Sequence, residues 1–296
     1  SWCSSQGARS RQYSYPMKIG LFQINTNALS EPDDLARAAV AAEQAGFESL
    51  WTAEHVVLPD PQAPPSPMPP EGRLLDPAVA LAFAAALTSE IKLGTGIIIL
   101  PQRNPLVLAK ELASLDVLSK GRLIFGVGVG YLAPEFEAIG VPMQDRARRS
   151  VEYIEAMRAI WSMDKPEYSG KYVSFSGVVA NPRPVQQPGP PVVMGGHSTP
   201  AFRRAVTMCE GWYGFALDLD ATRACVEGLA TQAGLHDRPA ELGPLEISVT
   251  PRMRPSREMV EQYRDLGVDR LVLLPNGSTA DEILAFIDHI GSTILT

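Results

Sequence analysis

Short apolar runs alternate with longer amphipathic stretches along this chain. The runs are strand-sized, and some are apolar at consecutive positions, as at Ile97, Ile98, Ile99 and Leu100. Unbroken apolarity of this kind fits parallel strands covered on both faces. The pattern predicts eight strands, over residues 18–24, 49–52, 92–99, 123–127, 191–194, 211–215, 246–249 and 270–274.

The intervening stretches carry helix signals. Ser30, Pro32 and Asp33 predict a helix start: a hydroxyl cap, an early proline and a carboxylate at the positive end of the dipole. Gly46 predicts the left-handed end of that helix. Asp76-Pro77, Asn104-Pro105 and Thr199-Pro200 repeat the cap-then-proline signature. Leu108, Leu112 and Leu115 share one helix face, and Ile154, Met157 and Trp161 share another. Eight strand–helix units predict an α/β fold, a (β/α)8 TIM barrel with insertions in its βα loops. A doubly wound open sheet is the alternative. It is weakened by Gln23-Ile24-Asn25-Thr26-Asn27, which stands where a glycine-rich phosphate turn would follow the first strand.

Residues 17–296 are expected to form a single domain of this kind. Residues 1–16 are polar, with Arg9 and Arg11, and lack the apolar core of a secretory signal, so they are expected to be a flexible tail. Two insertions interrupt the repeat. Residues 59–70 hold seven prolines in twelve positions and read as a surface loop or a pocket wall. Residues 167–187, with Tyr168, Tyr172 and Phe175, predict a small hairpin and a proline-rich return.

Composition narrows the function classes. A net charge of −7 argues against a nucleic-acid binder. The longest apolar runs fall far short of the roughly 18 residues of a membrane helix, and a cytoplasmic protein is expected. Cys3, Cys209 and Cys225 have no metal-ligand spacing, and His55, His197, His236 and His289 are scattered, so no metal site is expected.

The candidate chemistry gathers just past strand ends, where barrel enzymes keep their sites. Glu54 and His55 follow the second strand, and His55 reads as a proton-exchanging group or as a hydrogen-bonded supporting histidine. Gly195, Gly196, His197 and Ser198 follow the fifth strand and open a helix. They read as a phosphate cradle or as a tight turn with a routine cap. Thr95, Gly96 and Ile97 lie in the third strand, where glycine points to a bulge or a ligand against the backbone. Gly126, Gly128 and Gly130 form a GxGxG run ahead of Tyr131, which fits a nucleotide turn or small-residue packing. Arg73, Arg103, Arg146, Arg148, Arg149, Arg252 and Arg254 fall in βα loops or at helix starts, and together point to an anionic ligand.

Taken in order, these motifs resemble the luciferase-like monooxygenase superfamily, in its coenzyme F420-dependent oxidoreductase branch. The matching stretches are AGFESLW at 45–51 with Glu54-His55, IKLGTG at 91–96, RNP at 103–105 and LDVLSKGR at 115–122. FGVGVG at 125–130, PPVVMGG at 190–196 and GW at 211–212 complete the set, and the resemblance spans about residues 17–290. It implies a small-molecule oxidoreductase whose deazaflavin ring, or FMN in the alternative, lies across the strand ends. Glu54 and His55 match an acidic–histidine pair beside the ring, where many members have aspartate. Gly96-Ile97 matches a non-prolyl cis peptide behind the ring. Thr95, Gly128, Gly130 and Tyr131 fall on the cofactor-facing strand ends, and Gly195, Gly196, His197 and Ser198 on the phosphate cradle. Tyr131 stands where some members have a catalytic glutamate. A homodimer without nucleic-acid or membrane partners is implied. The alternatives are an FMN monooxygenase supplied by a partner reductase, and a catalytically silent flavin-binding relative.

Overall fold

A computed structural model describes residues 17–296, so the tail expected over residues 1–16 lies outside the described residues. Eight parallel strands close into a barrel: β1 (Lys18–Leu21), β2 (Ser49–Thr52), β3 (Lys92–Thr95, resumed at Ile98–Ile99), β4 (Leu123–Gly128), β5 (Val192–Gly195), β6 (Gly211–Leu217), β7 (Glu246–Pro251) and β8 (Arg270–Leu273). Each pairs with its sequence neighbours, and β8 returns to β1 in register from Lys18 on Arg270 to Leu21 on Leu273. Around them run α1 (Pro32–Ala45), α2 (Pro77–Leu87), α3 (Pro105–Leu118), α4 (Ala133–Ile139), α5 (Arg146–Ser162), α6 (Thr199–Met208), α7 (Leu219–Leu235), α8 (Arg257–Asp265) and α9 (Ala280–Thr293). The insertion expected to hold a hairpin does so: Tyr168–Ser169 pairs antiparallel with Ser174–Phe175. Among the described residues no helix is long and apolar enough to cross a membrane, and no cluster could hold a metal ion.

The helix ends follow local chemistry. Asp76 accepts from the Val79 amide, and Asn104 from the amides of Leu106 and Val107, each ahead of a proline. Gly46 ends α1 at φ 92°. Two caps differ from expectation. Ser30 sits in a 3-10 turn and donates to the Asn27 carbonyl, so Glu31 takes the N-cap of α1 without a side-chain bond. Ser198, not Thr199, caps α6, because Thr199 is already helical while Ser198 is extended and accepts from the Ala201 amide. Two strands also end or break early. β1 stops at Leu21 because Gln23 turns to φ 60°, and β3 is interrupted at the cis Gly96–Ile97 peptide.

The barrel interior is filled by Phe22, Trp51, Ile124, Val193, Tyr213 and Val272. Trp51 is fully buried and stacks on Tyr213 at 5.6 Å between ring centroids. A β-carbon at Gly94 would lie 2.5 Å from the Trp51 indole, and one at Gly20 would lie 2.6 Å from Ser49 Oγ. Gly94 is therefore explained by interior packing. A thicker apolar layer lies between strands and helices, where Leu108, Leu112, Leu115, Ile154, Met157 and Trp161 are buried.

At the N-terminal end of the barrel Arg270 lies over the Trp51 ring and bonds to Glu48, Glu246 and Ser248. Its side chain is 2% exposed. Burial pushes Glu48 and Glu246 upward, but Arg270 outweighs it, with help from Lys18, and both end below the usual carboxylate value. Their stabilisation is thus present above the unfolded carboxylate range and is lost as pH falls through the lowered values. Arg270→Leu, which strands two carboxylates, is expected to lower unfolding free energy at pH 7 by about 3 kcal/mol. In urea unfolding the deficit should shrink below pH ~4 as the carboxylates protonate. A deficit independent of pH would show that lost packing, not charge, dominates.

Candidate active site

The loop after β2 is pinned before it reaches the mouth. The Asn25 side chain accepts from the Ala53 amide at 2.9 Å and donates to the carbonyls of Ala53 and Leu75. Beyond Ala53, two adjacent side chains part company. Glu54 turns into the protein, accepting from the Ile99 amide and from Arg103. Arg103 also bonds Asp76 at 2.8 Å. Burial pushes the Glu54 carboxyl up against the pull of Arg103, while Glu54 and Asp76 together hold Arg103 firmly protonated. The unit ties β3, just past Ile97, to the start of α2.

His55 turns the other way. Its Nδ1 lies 3.1 Å from Glu135 Oε2, and its Nε2 lies 3.4 Å from the Tyr131 hydroxyl. Glu135 is fully buried, and its other oxygen accepts from the Val56 amide at 2.6 Å. Burial and the Glu135 charge raise Tyr131, so its hydroxyl keeps its proton. With Nδ1 against the buried Glu135 carboxylate, Nε2 is the nitrogen that faces the Tyr131 hydroxyl, and either of those two atoms can be the donor. An imidazole oriented by a carboxylate can release or take a proton at Nε2.

Glu135 has no place in the sequence expectations. In sequence it looks like an ordinary acidic residue in the first turn of α4, where the dipole favours a carboxylate. Its proximity to Tyr131, four positions earlier, is the one signal that could have raised it.

The other expected residues fall into groups. Thr95 is buried with its hydroxyl on the Gly126 carbonyl, so its side chain is committed to the barrel wall. Gly96 and Ile97 are half-buried at the mouth. A β-carbon at Gly128 would lie 2.5 Å from Ile97, and one at Gly130 2.6 Å from Phe136, so packing accounts for both. Gly196 takes φ 112°, and its carbonyl accepts from the Trp212 indole. The His197 ring accepts from the Phe215 amide at 3.1 Å, and burial lowers its pKa, so it joins the loop after β5 to β6 as a neutral group. The amides of His197 and Ser198 have no protein acceptor among the described residues.

The arginines divide. Arg73 pairs with Glu31, Arg103 with Glu54 and Asp76, Arg146 donates to the Gly130 carbonyl, and Arg149 donates to Pro142 and lies over Tyr172. Arg148, Arg252 and Arg254 are exposed. The rim between these loops is apolar, with Phe215 5.4 Å from Phe22 and with exposed Leu274 and Met253.

The sequence profile of the luciferase-like monooxygenase family matches residues 17–278. An uncharacterized protein of Mycobacterium tuberculosis is 31% identical over 270 residues, covering 88% of this chain and 93% of that protein. The oxygenase component of the flavin-dependent trigonelline monooxygenase of Acinetobacter baylyi is 30% identical over 162 residues, covering 54% of this chain and 42% of that protein. In three dimensions, an F420-dependent secondary alcohol dehydrogenase in complex with an F420–acetone adduct superposes with a TM-score of 0.76 at 16% identity, over 95% of this chain and 99% of that one. At that identity the superposition speaks for the fold alone. The family match covers nearly all the described residues, and the eight-stranded barrel with its strand-end site agrees with it: this chain belongs to the luciferase-like monooxygenase family.

Proposed function

We propose that this chain is an oxidoreductase that moves a hydride between coenzyme F420 and a small organic substrate at the barrel mouth. The observation that carries this reading is His55, held at Nδ1 by buried Glu135 with its Nε2 facing the Tyr131 hydroxyl. Hydride addition to a carbonyl or activated double bond needs one matching proton, and this is a group built to deliver it.

The residues fit such a cofactor. The unpartnered amides of His197 and Ser198 stand at the positive end of α6, beside a glycine that offers no β-carbon. An anionic phosphate suits that position. Gly195 and Gly196 would complete the cradle, and Gly96, Ile97, Gly128, Gly130 and the backbone at Thr95 would form the floor. When bound, F420 supplies the two-electron chemistry. The protein does the rest: His55 moves the proton at Nε2, Glu135 holds the imidazole, and Tyr131 bonds the same nitrogen. Glu54 acts as a positioning residue, fixing the strand beyond Ile97 through the Ile99 amide. Phe22, Phe215 and Leu274 exclude water and favour a substrate with an apolar body.

The similarity to the A. baylyi oxygenase favours a second reading, an FMN-dependent monooxygenase supplied with reduced flavin by a partner reductase. Titration of the pure protein with F420 and with FMN, followed by cofactor fluorescence, separates the two. Saturable binding of F420 in preference to FMN is expected; tight FMN binding with none for F420 would overturn the first reading.

Two substitutions probe the assigned roles. His55→Ala is expected to lower kcat by ~10²–10⁴-fold while leaving cofactor affinity unchanged. Glu135→Gln, with the same shape and no charge, should lower kcat by a smaller factor. An unchanged kcat in His55→Ala would remove the proton role. Ser198→Asp keeps a good helix cap but sets a negative charge beside the free amides. Its cofactor Kd is expected to rise at least ~10-fold with the thermal midpoint unchanged, about 1.4 kcal/mol of binding. Unaltered binding would place the phosphate elsewhere.

A further inference from the structure

The chain has five asparagines, and four of them are chemically quiet. An asparagine converts to an acid when the next backbone nitrogen loses its proton and attacks the side-chain carbonyl carbon. Asn104 and Asn181 precede prolines, whose nitrogens carry no proton to lose. Asn25 is fully buried, and its side chain is bonded to the Ala53 amide and to the carbonyls of Ala53 and Leu75. Asn27 precedes Ala28, whose β-carbon crowds the attack, and its Oδ1 accepts from the Arg73 amide.

Asn276 differs on each point. It stands past the end of β8 and is exposed, and no hydrogen bond holds its side chain among the described residues. Glycine follows it, and the fold requires that glycine. Gly277 takes φ 141°, and a β-carbon there would lie 2.7 Å from the Glu282 β-carbon. Glu282 accepts from the amides of Ser278 and Thr279, at 2.7 and 3.1 Å, where the capping box opens α9. The Gly277 amide, just ahead of them, has no acceptor among the described residues. The start of α9 thus dictates the one neighbour without a side chain to shield the attack, and leaves its nitrogen free.

We infer that Asn276 is a site of spontaneous deamidation, which places its product in the rim of the mouth. The Gly277 nitrogen gives up its proton and bonds to Cγ of Asn276, and the side-chain nitrogen leaves as ammonia. Water then opens the resulting ring at either carbonyl carbon. One opening gives aspartate. The other gives isoaspartate, whose main chain runs through Cβ and is one carbon longer. Both products add a negative charge.

The extra carbon can be absorbed in one place. β8 is held between β1 and β7, and its Leu273 carbonyl accepts from the Phe22 amide. α9 is anchored by buried Ile283, Phe286, Ile287 and Ile290, and a β-carbon at its Gly291 would lie 2.9 Å from that of Ala45 on α1. Residues 274–279 lie between these fixed ends, and Leu274 belongs to the apolar rim. The change is therefore local to the rim, and it is independent of which cofactor the mouth binds.

Peptide mapping by mass spectrometry tests the site. Cleavage after Arg270 releases residues 271–296, which hold Asn276 and no other asparagine or glutamine. After the folded full chain is kept in mildly alkaline buffer, this peptide is expected to show the mass of amide-to-acid conversion, with aspartate and isoaspartate both present. Its rate should lie within about tenfold of that of a free peptide of the same sequence, because a single hydrogen bond that had to break first would cost about that factor. Asn276→Gln, which can cyclise only to a slower six-membered ring, should stay unconverted. In the converted chain, separated by its added charge, hydrogen exchange is expected to change over residues 274–279 and to match the parent in β8 and on the buried face of α9. An unconverted Asn276, while the free peptide converts, would overturn the inference. So would conversion of Asn25 or Asn27 at the same rate, or exchange changes that reach the core of α9.

Discussion

Everything at the mouth stands on the way Trp51 fills the barrel. A closed ring of eight strands leaves an interior that must be packed without voids. Trp51 occupies it because Gly20 and Gly94 give up their side chains on the flanking strands. Tyr213 stacks on one side of the indole and Arg270 lies over it at the N-terminal end. Arg270 is buried among carboxylates on β2's entrance and β7, so the plug is charged below and aromatic above. The strand ends inherit their spacing from this packing. Phe22 and Tyr213 share the interior with Trp51, and Phe22 touches the rim at Phe215.

On that base, two neighbours in sequence take opposite duties. Successive side chains leaving a strand point to opposite sides. Glu54 therefore goes inward to Arg103 and the Ile99 amide, and His55 goes to Glu135 and Tyr131. The first anchors the strand; the second is held by Glu135 at Nδ1 and meets Tyr131 at Nε2. Desolvation gives both arrangements weight, because a buried carboxylate without a donor would be costly. Glu54 and Glu135 each have donors on both oxygens.

The outer surface shows the same economy. Apolar side chains that a single barrel leaves uncovered collect at the mouth and along α2 and α3. At the mouth they form the apolar rim of Phe215, Met253 and Leu274.

The architecture was legible because it is repetitive and local. Apolar runs, cap-then-proline signatures and Gly46 follow from backbone chemistry that each segment carries in itself, and eight repeats leave one closed arrangement. Strand ends were less legible, since the turn at Gln23 and the break at Gly96–Ile97 interrupt runs whose apolarity continues. His55 could be singled out because histidine past a strand end is chemically distinctive. Its partner could not. Glu135 lies 80 residues away on a short helix and resembles any acidic first-turn residue until the barrel closes and buries it against the imidazole. Likewise, only packing separates the glycines that make room for Trp51 and Ile97 from Gly196, whose φ of 112° leads into the unpartnered amides of His197 and Ser198. The sequence by itself determined which segments become strands and helices, because that depends on neighbours along the chain. The tertiary structure decided which polar groups meet, because that depends on neighbours the chain reaches only by folding.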